Sequence, residues 1–548
     1  MPASQPFGTP EVINQPPPLP DHNLFTSDPV LTAAVTREGA GWAVERLKAF
    51  GAAIGGEAVA ALAEAANRYP PELKAFDRFG QRIDEVVYHP AYHELMRLAK
   101  THEVHSIAWT APKAGGHLAH MALEYLLVQA EAGVCCPITM TYAGYAALRK
   151  HAVAASWLPG ILAASYDARF IPAPEKTGLT IGMAMTEKQG GSDVRANTTR
   201  ATATGEAGWC ALNGHKWFCS APMSDAFLTL AQTAAGLSCF LLPRWLPDGT
   251  RNRFHIQRLK DKLGDRSNAS AEIEYHGTSA QLLGEEGQGV RTIIEMVHHA
   301  RLDTALAAAG MMRAAVVQAV HHARHRSVFQ RRLVDQPLMR NVLADLVVEW
   351  VAATLLVARV ARSFDEAGSD KSAAQFSRVG VAIAKYWTNK RLTSHVCEAL
   401  ECIGGSGYVE ESAMPRLYRQ APVNGIWEGS GNVICLDILR SIEREPAALE
   451  MVLAEIAQAR GGDRRLDLAL ERLKDALSDR AEPQTRARSL VGSLAVAMQA
   501  SLLLQHAPSA AADAYCSSRL ASDWSGTYGT LPAATDFAAI IALGTLAE

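Results

Sequence analysis

Glu428 is the side chain in this 548-residue sequence whose surroundings best suit proton transfer. It stands in Ile426-Trp427-Glu428-Gly429-Ser430-Gly431, between an aromatic ring and two glycines. An apolar surround raises a carboxylate's proton affinity, as a general base requires, and glycines let a ligand approach the backbone. The bland alternative is a loop carboxylate paired with a nearby arginine. Far upstream, Met185-Thr186-Glu187-Lys188-Gln189-Gly190-Gly191-Ser192-Asp193-Val194 follows a strand-like run and is rich in small and hydroxyl residues. Such a loop offers backbone N–H groups to a large planar or phosphorylated ligand. Arg324, Arg326, Arg331 and Arg332 form the densest basic cluster, read either as a solvated helix end or as a phosphate clamp.

Other chemistries lack their motifs. Ile403-Gly404-Gly405-Ser406-Gly407-Tyr408 and Gly287-Gln288-Gly289 both miss the GxGxxG spacing of a dinucleotide loop, and no GxxxxGK[ST] is present. His102-Glu103-Val104-His105 is not HExxH, so no metal is expected, and these histidines read as helix-surface residues. Nine scattered cysteines without a CxxC pair suggest free thiols in a reducing compartment, with Cys135-Cys136 as buried small hydrophobes. A net charge of −3 gives no bulk attraction to nucleic acid or membrane. No signal pattern opens the chain and no apolar run approaches the length needed to span a bilayer, so a cytoplasmic protein is expected.

The elements that must position these residues fall into blocks. Length suggests roughly three to four domains. Residues 1–30 read as an extended arm, and residues 31–170 as helices broken near Pro70-Pro71 and Pro137. From about residue 180 to 285, short alternating runs indicate a β domain, and Asn213-Gly214 signals a tight hairpin. Long amphipathic helices return at Gly289 and persist to about Ile442. The last hundred residues form a further helical block, loose and polar over 517–536. Helices, then strands, then helices mean segregated α and β domains, an α+β class.

These motifs together resemble the acyl-CoA dehydrogenase family, and within it the AidB-like, alkylation-response branch. The likeness runs over nearly the whole chain and is carried by residues 185–194, 213–218, 259–264, 415–419 and 422–432. It implies the acyl-CoA dehydrogenase fold, with an N-terminal arm and helical domain (1–180), a central β domain (181–288), a C-terminal helical bundle (289–442) and an additional helical domain (443–548). It also implies a homotetramer with FAD between the β domain and the bundle.

On that resemblance Met185 and Thr186 would line the flavin, with Thr186 bonded to its ring. Gly190, Gly191 and Ser192 would approach flavin or substrate phosphates. Trp217 would lie against the isoalloxazine, followed by Phe218 and Cys219. Arg326 and Gln336 would reach the pyrophosphate and adenine end from a neighbouring subunit, where Gly404, Gly405 and Gly407 allow close packing. Trp427, Gly429, Ser430 and Asn432 complete the cofactor set, and Arg440 either reaches the substrate pocket or ends a helix in a salt bridge. Glu428 falls on the family's base position; the other position used by relatives is Ala300 here.

The implied reaction is α-proton abstraction from a short or branched acyl-CoA by Glu428 with β-hydride transfer to flavin N5. The Glu428 N–H and a ribityl hydroxyl would stabilise the enolate. Three departures bear on the flavin: Trp217-Phe218-Cys219 stands where relatives have Trp-x-Thr, Gln330 where they have Gly, and Glu401 where they have Gln. One alternative is a non-catalytic flavoprotein bound to double-stranded DNA; another is a flavin oxidase acting on a carbon acid such as a nitroalkane. The DNA role would fall to Arg464, Arg465, Arg472, Arg486 and Arg488, although residues 442–548 hold ten basic against fourteen acidic residues, a poor electrostatic footprint.

Overall fold

The computed structural model describes residues 11–546 apart from 112, 480 and 522, so the first ten residues of the expected arm lie outside the described residues. Asp28 caps the first helix, accepting from the Leu31 N–H, and Pro29 occupies its first turn. That helix, α1 (Pro29–Arg37), is followed by α2 (Val44–Ile54) and α3 (Glu57–Arg68). The chain then departs from the all-helical expectation. β1 (Glu72–Phe76) and β2 (Arg82–Val87) pair antiparallel, Glu72 opposite Val87, around a turn in which Asp77 accepts from the Phe79 and Gln81 N–H groups. Pro70-Pro71 therefore leads into a hairpin, not merely between helices. Helices resume with α4 (Pro90–Thr101), α5 (Ile107–Thr110), α6 (Gly116–Ala130), α7 (Cys135–Leu148) and α8 (Leu158–Leu162). α6 and α7 are buried on nearly every face, as befits helices at the centre of a large core.

The β region comprises β3 (Ile181–Ala184), β4 (Arg200–Ala203), β5 (Trp209–Ser220), β6 (Ala226–Thr233), β7 (Gly236–Pro243), β8 (Phe254–Leu259) and β9 (Ser270–Leu283). Strand order is β3-β6-β4-β5-β9-β7, and a β6–β7 pairing closes the sheet on itself. Closure removes the exposed edges that an open sheet would leave. The hairpin expected at Asn213-Gly214 is absent. β5 runs straight through that pair against β9, which absorbs the extra residue as a bulge between Leu212 and Asn213.

Next comes α9 (Gly289–His325), then a tiny hairpin of β10 (Ser327–Val328) and β11 (Arg331–Arg332). α10 (Pro337–Glu366) and α11 (Lys371–Ile403) complete the long-helix bundle. Shorter helices follow: α12 (Gly405–Tyr408), α13 (Met414–Asn424), α14 (Gly431–Arg444), α15 (Pro446–Ala457), α16 (Arg464–Ser478), α17 (Pro483–His506), α18 (Ser509–Arg519) and α19 (Phe537–Gly544). The stretch read as loose from residue 517 begins only after α18 ends at Arg519.

Two sequence expectations need correction. α10 and α17 are long and apolar enough to cross a bilayer, but 89% and 72% of their apolar stretches are buried inside the protein, which is where their side chains are satisfied. His105 is no surface residue: it is buried and lies 2.9 Å from the buried Lys100 amine. All nine cysteines are unpaired, and Cys135 and Cys136 are buried.

Candidate functional site

The loop after β3 is fastened to β5 at its first turn. The Trp217 N–H donates to the Thr186 carbonyl at 2.7 Å, so the two motifs are neighbours. Glu187 anchors the loop from inside the barrel, accepting from the Lys216 amine at 2.9 Å and from Thr198 and Thr199. Burial alone would raise its carboxyl pKa, but that ion pair and those donors hold it well below the carboxylate range. Gly190 has φ +125° with open space beside it, and its N–H closes the turn on the Glu187 carbonyl at 2.9 Å. A Cβ on Gly191 would lie 2.4 Å from the Thr186 hydroxyl. Ser192 is exposed.

The β5–β9 ladder slips again between Lys216 and Cys219, so that Trp217 and Phe218 bulge outward together. Phe218 is 52% exposed, whereas the Cys219 thiol is turned into the barrel core. A ligand here meets the two rings, not the thiol. Lys260 lies 3.4 Å from the centroid of the Trp217 ring and also pairs with Glu272, and Lys188 and Arg258 each lie 5.9 Å from the same ring. Ser220, the conceivable substitute for the missing threonine, faces Ser270 at 3.3 Å.

Glu428 lies in the connection between α13 and α14. Its φ of +56° and that of Gly429, +106°, place two successive residues in the left-handed region. Two cations hold this turn by its carbonyls. Arg301 of α9 donates to the Glu428 carbonyl at 3.2 Å, and Lys385 of α11 to the Gly429 carbonyl at 2.5 Å. Arg301 is itself fixed by Asp437 of α14, 2.7 Å away. As a residue Glu428 is part-buried, but its carboxyl oxygen Oε2 is enclosed and bonded to no protein group. Burial pushes its pKa up to about 7 against the opposing pull of Arg301 and Lys385. Trp427 and Met185 both pack on the apolar cluster that contains Cys136, Met140 and Ala300, and Cys136 is within electrostatic reach of Glu428. Ala300 is buried and carries no acid.

One group escaped sequence reasoning. His120 and Glu124 of α6 meet Asp303 of α9, with His120 Nε2 3.0 Å from Asp303 and 3.5 Å from Glu124. Burial raises both carboxyls well above their ordinary range and lowers the His120 imidazole, so each group is pushed toward its neutral form. Asp303 lies within electrostatic reach of Glu428. Only the i, i+4 spacing of His120 and Glu124 on one helix was visible in advance; their partner is 179 positions or more away in sequence.

The remaining candidates lie elsewhere. Arg326 follows Arg301 by twenty-five helical positions, about 38 Å along α9, a distance no single dinucleotide spans. It donates to the Asn14 carbonyl, while Gln336 holds the Val328 carbonyl. Gln330 accepts φ +65° in the turn where relatives carry glycine. Gly404 has φ +70°, and neither it nor Gly405 has an atom within 4 Å of a would-be Cβ, an open backbone patch. Ser430 precedes α14 as an N-cap whose side chain makes no capping bond, and Asn432 lies in that helix's first turn. Arg440 is exposed on the other side of α14 from buried Ile438 and Ser441.

Of the five arginines considered for DNA, four are engaged internally. Arg465 pairs with Asp463 and Asp513, Arg472 donates to the Leu520 carbonyl, Arg486 to those of Ala481 and Asp479, and Arg488 to Asn432. Arg464 is exposed.

Comparison with known proteins gives three domain matches in order. The AidB N-terminal domain matches residues 14–168, the acyl-CoA dehydrogenase middle domain residues 182–278, and the acyl-CoA dehydrogenase C-terminal domain residues 287–443. The putative acyl-CoA dehydrogenase AidB of Escherichia coli (strain K12) is 44% identical over 508 residues, 92% of this chain and 93% of that protein. Acyl-CoA dehydrogenase family member 11 of Caenorhabditis elegans is 30% identical over 83% of this chain and 76% of its own. Among solved structures, Caenorhabditis elegans ACDH-11 in complex with C11-CoA superposes with a TM-score of 0.86 at 26% identity, covering 96% of this chain and 95% of that one. In fold alone, an acyl-CoA dehydrogenase complexed with FAD from Bacillus anthracis matches with a TM-score of 0.65 at 16% identity, over 78% of this chain and 81% of that one.

Proposed function

The chain belongs to the acyl-CoA dehydrogenase family, on its AidB-like side, and from that premise we propose that Glu428 is the base that removes the α-proton of an acyl-CoA thioester. One observation carries this reading: a carboxyl oxygen that is enclosed, unpartnered and borne on a left-handed turn held by two cations. A carboxylate near its ordinary pKa is a poor match for so weak a carbon acid. Burial narrows the gap by raising Glu428 to about 7, and displacement of water by an acyl chain raises it further. Among the described residues the Glu428 N–H donates to no protein acceptor, so it is free to bond the thioester carbonyl as enolate charge develops there.

The family is FAD-dependent, and the residues present fit that cofactor. On this reading Met185, Thr186, Gly190, Gly191 and Ser192 form the cofactor loop, with the bulged Trp217 and Phe218 beside it through the Trp217 N–H bond to Thr186. Trp427, Gly429, Ser430 and Asn432 complete the set around the start of α14. Bound there, FAD supplies the hydride acceptor. The separation along α9 supports assigning Arg326, Gln336, Gly404 and Gly405 to a site on a neighbouring copy, and with it a homotetramer. The acyl group on this reading is short or branched.

Anaerobic mixing with a panel of acyl-CoAs tests the proposal, with loss of the oxidised flavin colour on thioester addition as the expected result. Bleaching by a nitroalkane alone would move the reading to a carbon-acid oxidase. No bleaching by either leaves a non-catalytic flavoprotein. DNA association is measured separately by salt titration with duplex DNA: absence of binding at low salt, or binding without a salt slope, removes it. The internal engagement of Arg465, Arg472, Arg486 and Arg488 weighs against a DNA face on this segment.

A further inference from the structure

Lys385 is enclosed in α11, 1% exposed, and among the described residues its one side-chain hydrogen bond goes to the Gly429 carbonyl, one residue beyond the proposed base. A buried ammonium with a single carbonyl partner is under-satisfied, since it carries three donors and a full charge. Among the described residues no carboxylate forms an ion pair with it, and the acid whose charge favours its protonated form is Glu428. The relation is mutual: each favours ionisation of the other against burial, and burial brings Lys385 down to about 7, the same value to which it brings Glu428 up. The backbone adds a separate constraint. A glutamate at φ +56° followed by a glycine at φ +106° is strained unless something fixes the turn, and the Lys385 ammonium is seated on the carbonyl that closes it.

Of the other charged and titratable groups facing this corner, Arg301 favours the ionised form of Glu428 more than Lys385 does, and it differs from Lys385 in having a carboxylate partner. Arg301 holds the Glu428 carbonyl, but Asp437 pairs with that guanidinium, and Arg378 pairs with Asp437 in turn. Asp303 from α9 and Cys136 from α7 lie within range and are pushed toward their neutral forms by burial. Lys390 on α11 opposes protonation of Lys385, and buried His298 of α9 is kept neutral.

We propose that Lys385 is a positioning residue for the base: its ammonium fixes the left-handed turn that aims the Glu428 carboxyl group and, together with Arg301, supplies positive charge that favours the ionised carboxylate. The inference rests on the reading of Glu428 as base, yet the protonation of Glu428 can be followed without turnover. When substrate takes the place of water, both groups are further desolvated and the α-proton moves to Glu428. Protonation of Glu428 removes the charge that favours the Lys385 ammonium, so the two groups titrate together.

The test uses full-length protein carrying its FAD, in the wild type and in Lys385→Gln, Lys385→Met and Lys385→Arg. Gln keeps a donor for the Gly429 carbonyl without charge, Met removes both, and Arg keeps both. The carboxylic-acid C=O stretch of Glu428, identified as the infrared band missing in Glu428→Gln, is followed against pH. In Lys385→Gln and Lys385→Met the midpoint should rise by about one pH unit or more; in Lys385→Arg it should stay within about half a unit. Flavin bleaching at pH 7 by an acyl-CoA that reduces the wild type should slow roughly tenfold in Lys385→Gln and recover at higher pH. An unmoved midpoint in Lys385→Gln overturns the proposal, whether or not Lys385→Met folds. If no acyl-CoA bleaches the wild type, the dehydrogenase reading fails while the midpoints still decide the role of Lys385.

Discussion

Arg488 on α17 donates to the side-chain oxygen of Asn432 at 2.8 Å, so the helical segment that follows the bundle touches the first turn of the helix behind the base. Gly492, one turn further along α17, sits where a Cβ would meet Trp387 of α11 at 3.3 Å, and a Cβ on Gly544 of α19 would strike Val316 of α9 and Val347 of α10. The C-terminal helices are therefore packed into the bundle over their length, not appended to it. Removing residues 445–548 should expose the apolar faces of α10 and α11 and give insoluble protein with no cooperative thermal transition. A soluble truncated protein that unfolds cooperatively at the temperature of the full chain would show that these helices are dispensable for the fold.

The same interface holds a buried ion network. Arg519 of α18 pairs with Asp345 and Glu349 of α10, and Glu349 is shared with Arg391 of α11 at 3.2 Å. Asp345 and Glu349 are wholly enclosed. Arg519→Met leaves Asp345 without its ion pair in a site closed to water, a change that costs about 3–5 kcal/mol when one partner of a buried pair is lost. Thermal unfolding followed by circular dichroism should show a markedly lower Tm for Arg519→Met, and less loss for Arg519→Met combined with Asp345→Asn. Equal loss in the single and double variants would mean that packing, not charge, carries the contribution.

Glu428 should reduce stability near neutral pH. Its pKa rises from 4.5 in the unfolded chain to about 7 in the folded protein. Across that window the native state holds a proton that the unfolded chain has released, so stability falls as pH rises and stays lower above pH 7. Lys385 runs the other way: lowered from 10.5 to about 7, it lends stability back as pH rises between those values. Glu428→Gln should therefore match the wild type near pH 4.5 and exceed it by about 3 kcal/mol at pH 7, while retaining yellow flavin and losing turnover. Paired melts at the two pH values check this, and a Glu428→Gln protein no more stable than wild type at pH 7 contradicts it. Unchanged turnover would remove Glu428 from the base role.

The block order of helices, strands and helices was legible because hydrophobic period changes where the fold changes, at β3 and again at α9. Glu428 was legible because Trp427, Gly429 and Gly431 flank it within one loop. What failed was pairing. Asn213-Gly214 has the composition of a two-residue turn, yet β9 continues past it, and a bulge accommodates the pair with Gly214 against Thr199. The β1–β2 hairpin was hidden among Ala-rich helices, since its alternation over residues 72–87 is broken by charged residues on both faces. The two cations at the base and the His120–Asp303 contact arise only when α6, α9 and α11 pack together, and no local pattern reports such a meeting.

The loop after β3 permits a test of how tightly its backbone is matched to a ligand. A Cβ at position 191 would stand 2.4 Å from the Thr186 hydroxyl and 3.1 Å from its methyl group, so Gly191→Ala must rotate Thr186 away from the side of the loop that faces the proposed flavin. Gly190→Ala meets no atom within 4 Å, and its cost is instead conformational, because φ +125° is a region that alanine avoids. The two substitutions should separate in their effects. Gly191→Ala should fold with a Tm close to wild type but release FAD more readily, with a Kd raised roughly tenfold in reconstitution followed by flavin fluorescence. Gly190→Ala should lower the melting point of the flavin-free protein by an amount corresponding to about 1–3 kcal/mol. Wild-type FAD affinity in Gly191→Ala would show that the Thr186 side chain makes no contribution to holding the cofactor, and would shift that role to the backbone of the loop alone.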